Sequence, residues 1–153
     1  MRLTTFTDYT LRVLIYIGLR PGQRATIAEL ADVYQISRNH LMKVVHHLGQ
    51  AGYIETLRGK GGGFLLARAP EKINIGALIR DTEQRTTLVE CFTDSDCDCR
   101  ISPACRMKGM LNEALNAFYA VLDQYTLADL ISNKRQLERL LPDQTLAGRG
   151  PPT

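Results

Sequence analysis

Four cysteines, the chain's whole complement, stand within fifteen residues, CFTDSDCDCRISPAC from Cys91 to Cys105. Thiols that serve only to pack would be scattered along core faces, so this clustering asks for a chemical explanation. Thiolates held this close repel one another unless a cation sits among them or they oxidise. The stretch therefore has to be either a metal centre or a redox pair.

The 153 residues suffice for one domain with a real core, or for a small domain plus an appendage. An apolar content of 44% and a charged content of 23% place the chain among folded globular proteins. No apolar run approaches the roughly 20 residues that span a bilayer. The opening MRLTTFTDYT lacks the apolar core of a signal peptide. The expected setting is the cytoplasm, with no membrane partner. There a cysteine cluster is more often metal-binding or redox-active than a structural disulfide.

The net charge of +3 hides a split. Residues 1–80 carry eleven Lys and Arg against five Asp and Glu, whereas residues 81–153 carry eight against eleven. A basic first half joined to an acidic second half points to a polyanion that meets only the first.

Along that first half, Leu11, Leu14, Ile15, Ile17 and Leu19 trace a helical face, with Thr7 or Asp8 as the expected cap and Pro21-Gly22 as the stop. Thr26-Ile27-Ala28-Glu29 is a capping box that opens a short helix through Val33, with Ala28, Leu30 and Ala31 as its inner surface. Ser37 caps a third helix, RNHLMKVVHHLGQ, with Leu41, Val44, Val45 and Leu48 as its apolar stripe and Gly52 as its stop signal. Two short helices around a tight turn read as a helix-turn-helix. The second presents Ser37, Arg38, Asn39, His40 and Lys43 near its start, donors suited to phosphates and base edges. A solvated helix face is the plainer alternative, and the next segment tilts the balance against it.

Tyr53 to Leu57 reads as a strand, Arg58-Gly59-Lys60-Gly61-Gly62-Gly63 as a turn, and Phe64-Leu65-Leu66 as the return strand. A helix-turn-helix followed by a basic hairpin is the order of a winged helix. Arg58, Lys60 and Gly61 become further candidates for contact with double-stranded DNA. The glycine run lacks the spacing of a phosphate-binding nucleotide loop and no helix follows it. The chain also has no nucleophile–base constellation, so an enzyme is not expected.

Asn74 can cap a helix from Ile75 to Glu83, expected to pack back on the first. Beyond Cys105, Leu111, Leu115, Phe118, Leu122 and Tyr125 step by 4, 3, 4, 3, the rhythm of a coiled-coil seam, which Met107 extends. A helix of about 20 residues, about 30 Å long, follows from that stripe. Thr126 starts a further helix, TLADLISNKRQLERLL, before Pro142. The expected fold is mainly α with a small β-hairpin: a winged helix-turn-helix domain plus a long C-terminal dimerisation helix. The divisions are a DNA-binding domain over 1–82, a cluster-binding loop over 83–105, dimerisation and C-terminal helices over 106–141, and a flexible tail over 142–153.

The cysteines at 91, 97, 99 and 105 interleave with Asp94, Asp96 and Asp98. Zinc knuckles use C-x2–4-C spacings, and none is present. A disulfide would form on oxidation but is not the expected resting state in a reducing compartment. An iron–sulfur cluster tolerates the looser spacing, because its cysteines sit at the corners of a wider object than a single ion. Spacing thus puts a cluster ahead of zinc without settling the matter.

Four motifs in order, MRLTTFTDYTLRVLIYI, VYQISRNHLMKVVHHL, RGKGGG and CRISPACR, resemble those of the NsrR-type transcription repressors, within the wider family of winged-helix iron–sulfur regulators that includes IscR. The resemblance runs from residue 1 to about residue 141. It implies a homodimer on an inverted-repeat operator, one iron–sulfur cluster per subunit (2Fe–2S or 4Fe–4S), and nitric oxide as the effector that releases the DNA. Its ligand pattern falls on Cys91, Cys99 and Cys105. Cys97 is a fourth cysteine where the family has three: a bystander, an alternative ligand or a resolving thiol. For the remaining ligand the resemblance offers Asp8 from the partner subunit, while position alone makes Asp8 a helix cap. The region after Cys105 reads RMKGM, so the histidine ligand of IscR-like proteins is absent. The competing readings are an IscR-like regulator of iron–sulfur supply and a thiol–disulfide redox-sensing regulator.

Overall fold

A computed structural model describes residues 2–59, 61–83, 88–89, 92 and 99–141. The chain begins with three helices, α1 (Thr5–Gly18), α2 (Ile27–Tyr34) and α3 (Arg38–Gln50). The hairpin β1 (Ile54–Leu57) and β2 (Gly63–Leu66) follows, antiparallel, with Ile54 opposite Leu66 and Leu57 opposite Gly63. A 3-10 turn at Pro70–Lys72 leads into α4 (Ile75–Glu83), and a second at Ser102–Ala104 leads into α5 (Arg106–Leu122). Two short helices, α6 (Leu127–Leu130) and α7 (Lys134–Leu140), close the described chain.

The start of α1 differs from the sequence expectation. Thr4, and neither Thr7 nor Asp8, is the cap: its hydroxyl accepts a hydrogen bond from the Thr7 backbone N–H at 3.2 Å. The helix therefore starts before the apolar stripe does. What favours the earlier start is a long-range partner, because the Thr4 backbone N–H and hydroxyl both donate to Oε1 of Glu83 at 2.8 Å. The starts of α2, α3 and α4 follow the local rules. Thr26 and Glu29 form a reciprocal capping box on α2, Ser37 Oγ accepts from the His40 N–H at 3.3 Å, and Asn74 Oδ1 accepts from the Ala77 N–H at 2.9 Å.

One core is shared by most of these elements. Val13, Leu14, Leu30, Leu41, Val44, Leu48, Ile73, Leu78 and Leu127 are completely buried in it. Removing a leucine-sized side chain from water is worth about 1.5–3 kcal/mol, so this set outweighs any surface feature of the fold. Leu127 returns α6 to the face of α1, where a Cβ on Gly18 would lie 3.4 Å from it and 3.3 Å from Ile131.

The C-terminal helix expected from Thr126 onward is instead broken in two. Asp129 closes a capping box on Thr126, and α6 ends after Leu130. Ser132 Oγ then donates to the Asp129 carbonyl at 2.8 Å, a side-chain bond that competes with the helical ladder. Ile131-Ser132-Asn133 is a run of weak helix formers, and α7 restarts beyond it at Lys134.

The α5 helix has no fully buried residue. Leu111, Leu115, Phe118 and Leu122 of the expected seam are half-buried within the single chain, and Leu122 packs against the core with Tyr119. Met107 and Tyr125 at the two ends of that seam are exposed, and beside it Met110, Ala114, Ala117 and Val121 form an adjoining exposed row that continues from Met107 at spacings of 3, 4, 3 and 4. No helix among the described residues is long and apolar enough to cross a membrane.

Candidate nucleic-acid interface and cysteine loop

The apolar stripe of α3 fixes which side of that helix meets solvent. With Leu41, Val44, Val45 and Leu48 turned inward, Arg38, Asn39, His40, Met42, Lys43 and His46 are exposed. Ser37 is exposed too, its hydroxyl engaged in the cap. The sequence-derived residues of this helix therefore share one accessible surface. Neither Arg38 nor Lys43 forms an ion pair among the described residues.

The hairpin presents Arg58 and Gly61 to solvent, while Lys60 lies outside the described residues. Its base is not a simple two-stranded ribbon. Ala25, just before α2, pairs with Phe64, exchanging N–H···O bonds of 2.9 Å in both directions. Gly63 makes this approach possible, since a Cβ there would lie 2.6 Å from the Ala25 carbonyl oxygen. Arg24 reaches further along the hairpin and donates from Nη1 to the Gly61 carbonyl at 2.9 Å. Sequence reasoning missed this third segment, because a single bridging residue leaves no alternation to detect.

A second set of contacts ties the far end of α3 to α4. Nε2 of His47 lies 2.8 Å from Oδ2 of Asp81, and the Phe6 ring meets the His47 ring edge-on at 5.3 Å. One residue on, the Thr82 hydroxyl lies 2.9 Å from Thr7 Oγ1, and Glu83 accepts from Thr4 and Thr7. The last turn of α4 thus holds α3 with one residue and the start of α1 with the next two. Glu83 was legible only as a helix end. Its burial (8% exposed) is a tertiary fact with no local signature.

Of the cysteines, Cys99 is exposed and Cys105 half-buried, both as free thiols, and Cys91 and Cys97 lie outside the described residues. Cys105 occupies the N-cap position of α5 without making a side-chain cap. Asp8 pairs with Arg12 at 2.8 Å on the next turn of α1. Both line an open cleft of about 620 Å³ that also includes Arg2, Tyr9, Tyr34 and Gln35. Burial of the Tyr34 hydroxyl pushes its pKa up to about 12, against a smaller opposing pull from Arg12. Tyr9 in turn lies 6.0 Å from the His40 ring on α3. Among the described residues no three His, Cys, Asp or Glu side chains gather into a group that could hold a metal ion. In donor chemistry, thiols such as Cys99 and Cys105 suit iron–sulfur clusters.

A helix-turn-helix with a polar, exposed second helix and a basic wing defines a transcription regulator of the winged-helix class. The chain belongs to the Rrf2 family, described as iron-dependent transcriptional regulators, whose model matches residues 3–133. It is similar to the HTH-type transcriptional regulator NsrR of Bacillus subtilis (strain 168), with 54% identity over 142 residues, covering 92% of this chain and 97% of the relative. Among solved structures it resembles the oxidised form of Staphylococcus aureus CymR, at 27% identity and a TM-score of 0.66, covering 85% of this chain and 95% of that one. T. potens IscR shares the fold at 20% identity and a TM-score of 0.66, covering 98% of this chain and 94% of that one. These relatives carry the names of regulators, not of enzymes, and the NsrR-type resemblance read from the four motifs stands.

Proposed function

We propose that the chain is one subunit of a homodimeric repressor that grips an inverted-repeat operator and lets go when nitric oxide attacks an iron–sulfur cluster in the cysteine loop. The observation that carries this reading is the place of Cys105. It is a free thiol at the cap of α5, so the loop holding every cysteine ends on the helix with the exposed apolar stripe. Met107, Met110, Ala114, Ala117 and Val121 give that helix the a/d spacing with which two copies can pack. The two recognition helices would then sit about 34 Å apart, one turn of DNA.

Cys91, Cys99 and Cys105 supply the thiolates, with Cys97 as an alternative ligand and Asp8 of the partner subunit as the remaining one. When bound, the cluster supplies iron with which nitric oxide reacts. Asp8 has to exchange its ion pair with Arg12 for that role, which links ligation to the turn of α1 that faces α3 through Tyr9. Ser37, Arg38, Asn39, His40 and Lys43 contact the operator from α3, and Arg58, Lys60 and Gly61 contact it from the wing. The division of labour is a DNA-reading unit over residues 1–82, a sensing loop to residue 105, and pairing helices to residue 141. The reducing cytoplasm suits such a loop.

The test is anaerobic purification with an absorption spectrum, then titration with nitric oxide while operator binding is followed. A visible iron–sulfur band that bleaches as DNA is released supports the reading. A colourless protein that contains zinc or no metal, yet binds DNA, would overturn the cluster and the nitric oxide response.

A further inference from the structure

Two DNA-facing elements of the winged helix meet at Arg24. The residue directly precedes the Ala25 bridge and the Thr26 cap of α2, the helix that crosses the DNA backbone in a helix-turn-helix. Its side chain runs the other way, to the tip of the wing, where Nη1 donates to the Gly61 carbonyl. A guanidinium has five N–H donors, and Gly61 takes one. Arg24 is exposed, and no carboxylate pairs with it among the described residues. Arg58 lies at the same end of the hairpin, so the tip gathers positive charge that no carboxylate among the described residues pairs with.

We propose that Arg24 is a DNA-binding residue of this protein: it braces the wing through Gly61 and gives a phosphate the remaining face of its guanidinium. The brace matters because Gly61 has left-handed backbone (φ 80°) and belongs to a glycine-rich tip with few side chains to pack against the fold. Arginine suits the double task, since its planar fork can bond a carbonyl and a phosphate oxygen at once. This inference rests on the winged-helix DNA interface described above and extends it to a residue outside both the recognition helix and the hairpin.

The experiment measures affinity of the full-length Arg24→Ala, Arg24→Lys and Arg38→Ala proteins for a random-sequence duplex of about 30 base pairs, long enough for two half-sites about 34 Å apart. Affinity is followed across a range of salt concentrations. Phosphate contacts are independent of sequence, so this probe reads them directly. Arg24→Ala is expected to weaken binding about five-fold per subunit near 0.1 M salt and to reduce the slope of log K against log salt by about 1.8, about 0.9 for each of the two subunits on the duplex. Arg24→Lys should restore the slope but only part of the affinity, since it keeps the charge and loses the fork. An unchanged slope in Arg24→Ala overturns the inference, whether or not affinity falls. If Arg38→Ala also leaves binding unchanged, the DNA interface itself fails. If only Arg38→Ala weakens it, the interface stands and Arg24 alone is excluded. Because Arg24 is exposed, an unshifted melting temperature confirms that each variant is folded.

Discussion

His47 on the recognition helix and Asp81 in the last turn of α4 are hydrogen-bonded, Nε2 to Oδ2, at 2.8 Å. Thr82 and Glu83, the next two residues, hold the start of α1. The chain then leaves α4 for the cysteine loop. The chain thus enters the cysteine stretch from residues bonded to both helices.

A double-mutant cycle of His47→Ala and Asp81→Ala, read by urea unfolding, should return a coupling of about 0.5–1 kcal/mol, as for a half-exposed polar pair. Operator affinity should fall in both single variants, and not further in the double. Additive losses would mean that the two residues act separately.

Glu83→Gln should loosen the start of α1. The carboxylate accepts from the Thr4 N–H and from two threonine hydroxyls, and an amide oxygen replaces these charge-assisted bonds with weaker ones. The expected cost is about 1–2 kcal/mol, with faster hydrogen exchange confined to the first turns of α1. Uniform acceleration across all helices would contradict a local clamp.

The wing glycines differ in what they permit. Gly63→Ala drives a methyl group against the Ala25 carbonyl, a backbone atom that cannot swing aside. Destabilisation of about 1–3 kcal/mol is expected in thermal or urea unfolding. Gly59→Ala at the open tip meets nothing within 4 Å, so it should cost less, despite strain from its φ of 98°. Equal losses at the two positions would argue against the Ala25 bridge.

Two of the shifted groups contribute to the pH dependence of stability in opposite directions. The bidentate Arg80 hydrogen bond holds the Asp123 carboxyl below its usual range. Its stabilising effect is present above the unfolded value of about 3.9 and lost as pH falls through the lower folded value. Tyr34, raised to about 12 by burial, behaves oppositely: stability is complete below about pH 10 and lost as pH rises through 12. Asp123→Asn should flatten the acid limb of a melting-temperature profile, and Tyr34→Phe the alkaline limb. A profile unchanged in either variant would remove that residue from the account.

These contacts mark where sequence reasoning succeeds and where it stops. The capping box at Thr26, the Ser37 cap, the inward stripe of α3 and the hairpin were legible because each is written within a few adjacent residues. Thr4 displaced the expected caps because its partner, Glu83, stands 79 residues away. On α5 the middle of the expected seam is half covered by the chain itself and an adjoining row is the more exposed, which sequence spacing cannot distinguish. The arrangement of Cys91 and Cys97 lies outside the described residues, so the ligand set still rests on motif order and donor chemistry.

The Arg80–Asp123 fork has a mechanical consequence. Asp123 ends α5, and it is gripped by Arg80 through both oxygens and by Asn74, which donates to its carbonyl at 2.7 Å. Gly76 leaves it room, since a Cβ there would sit 2.1 Å from Oδ1. Cys105 stands at the opposite end, about 25 Å away along 17 residues of helix. The helix is thus a beam clamped at one end, and a cluster held by Cys105 would load the other. A tilt of about 10° at the clamp carries the cysteine end through roughly 4 Å, and the same beam turns a small displacement at Cys105 into torque on α4.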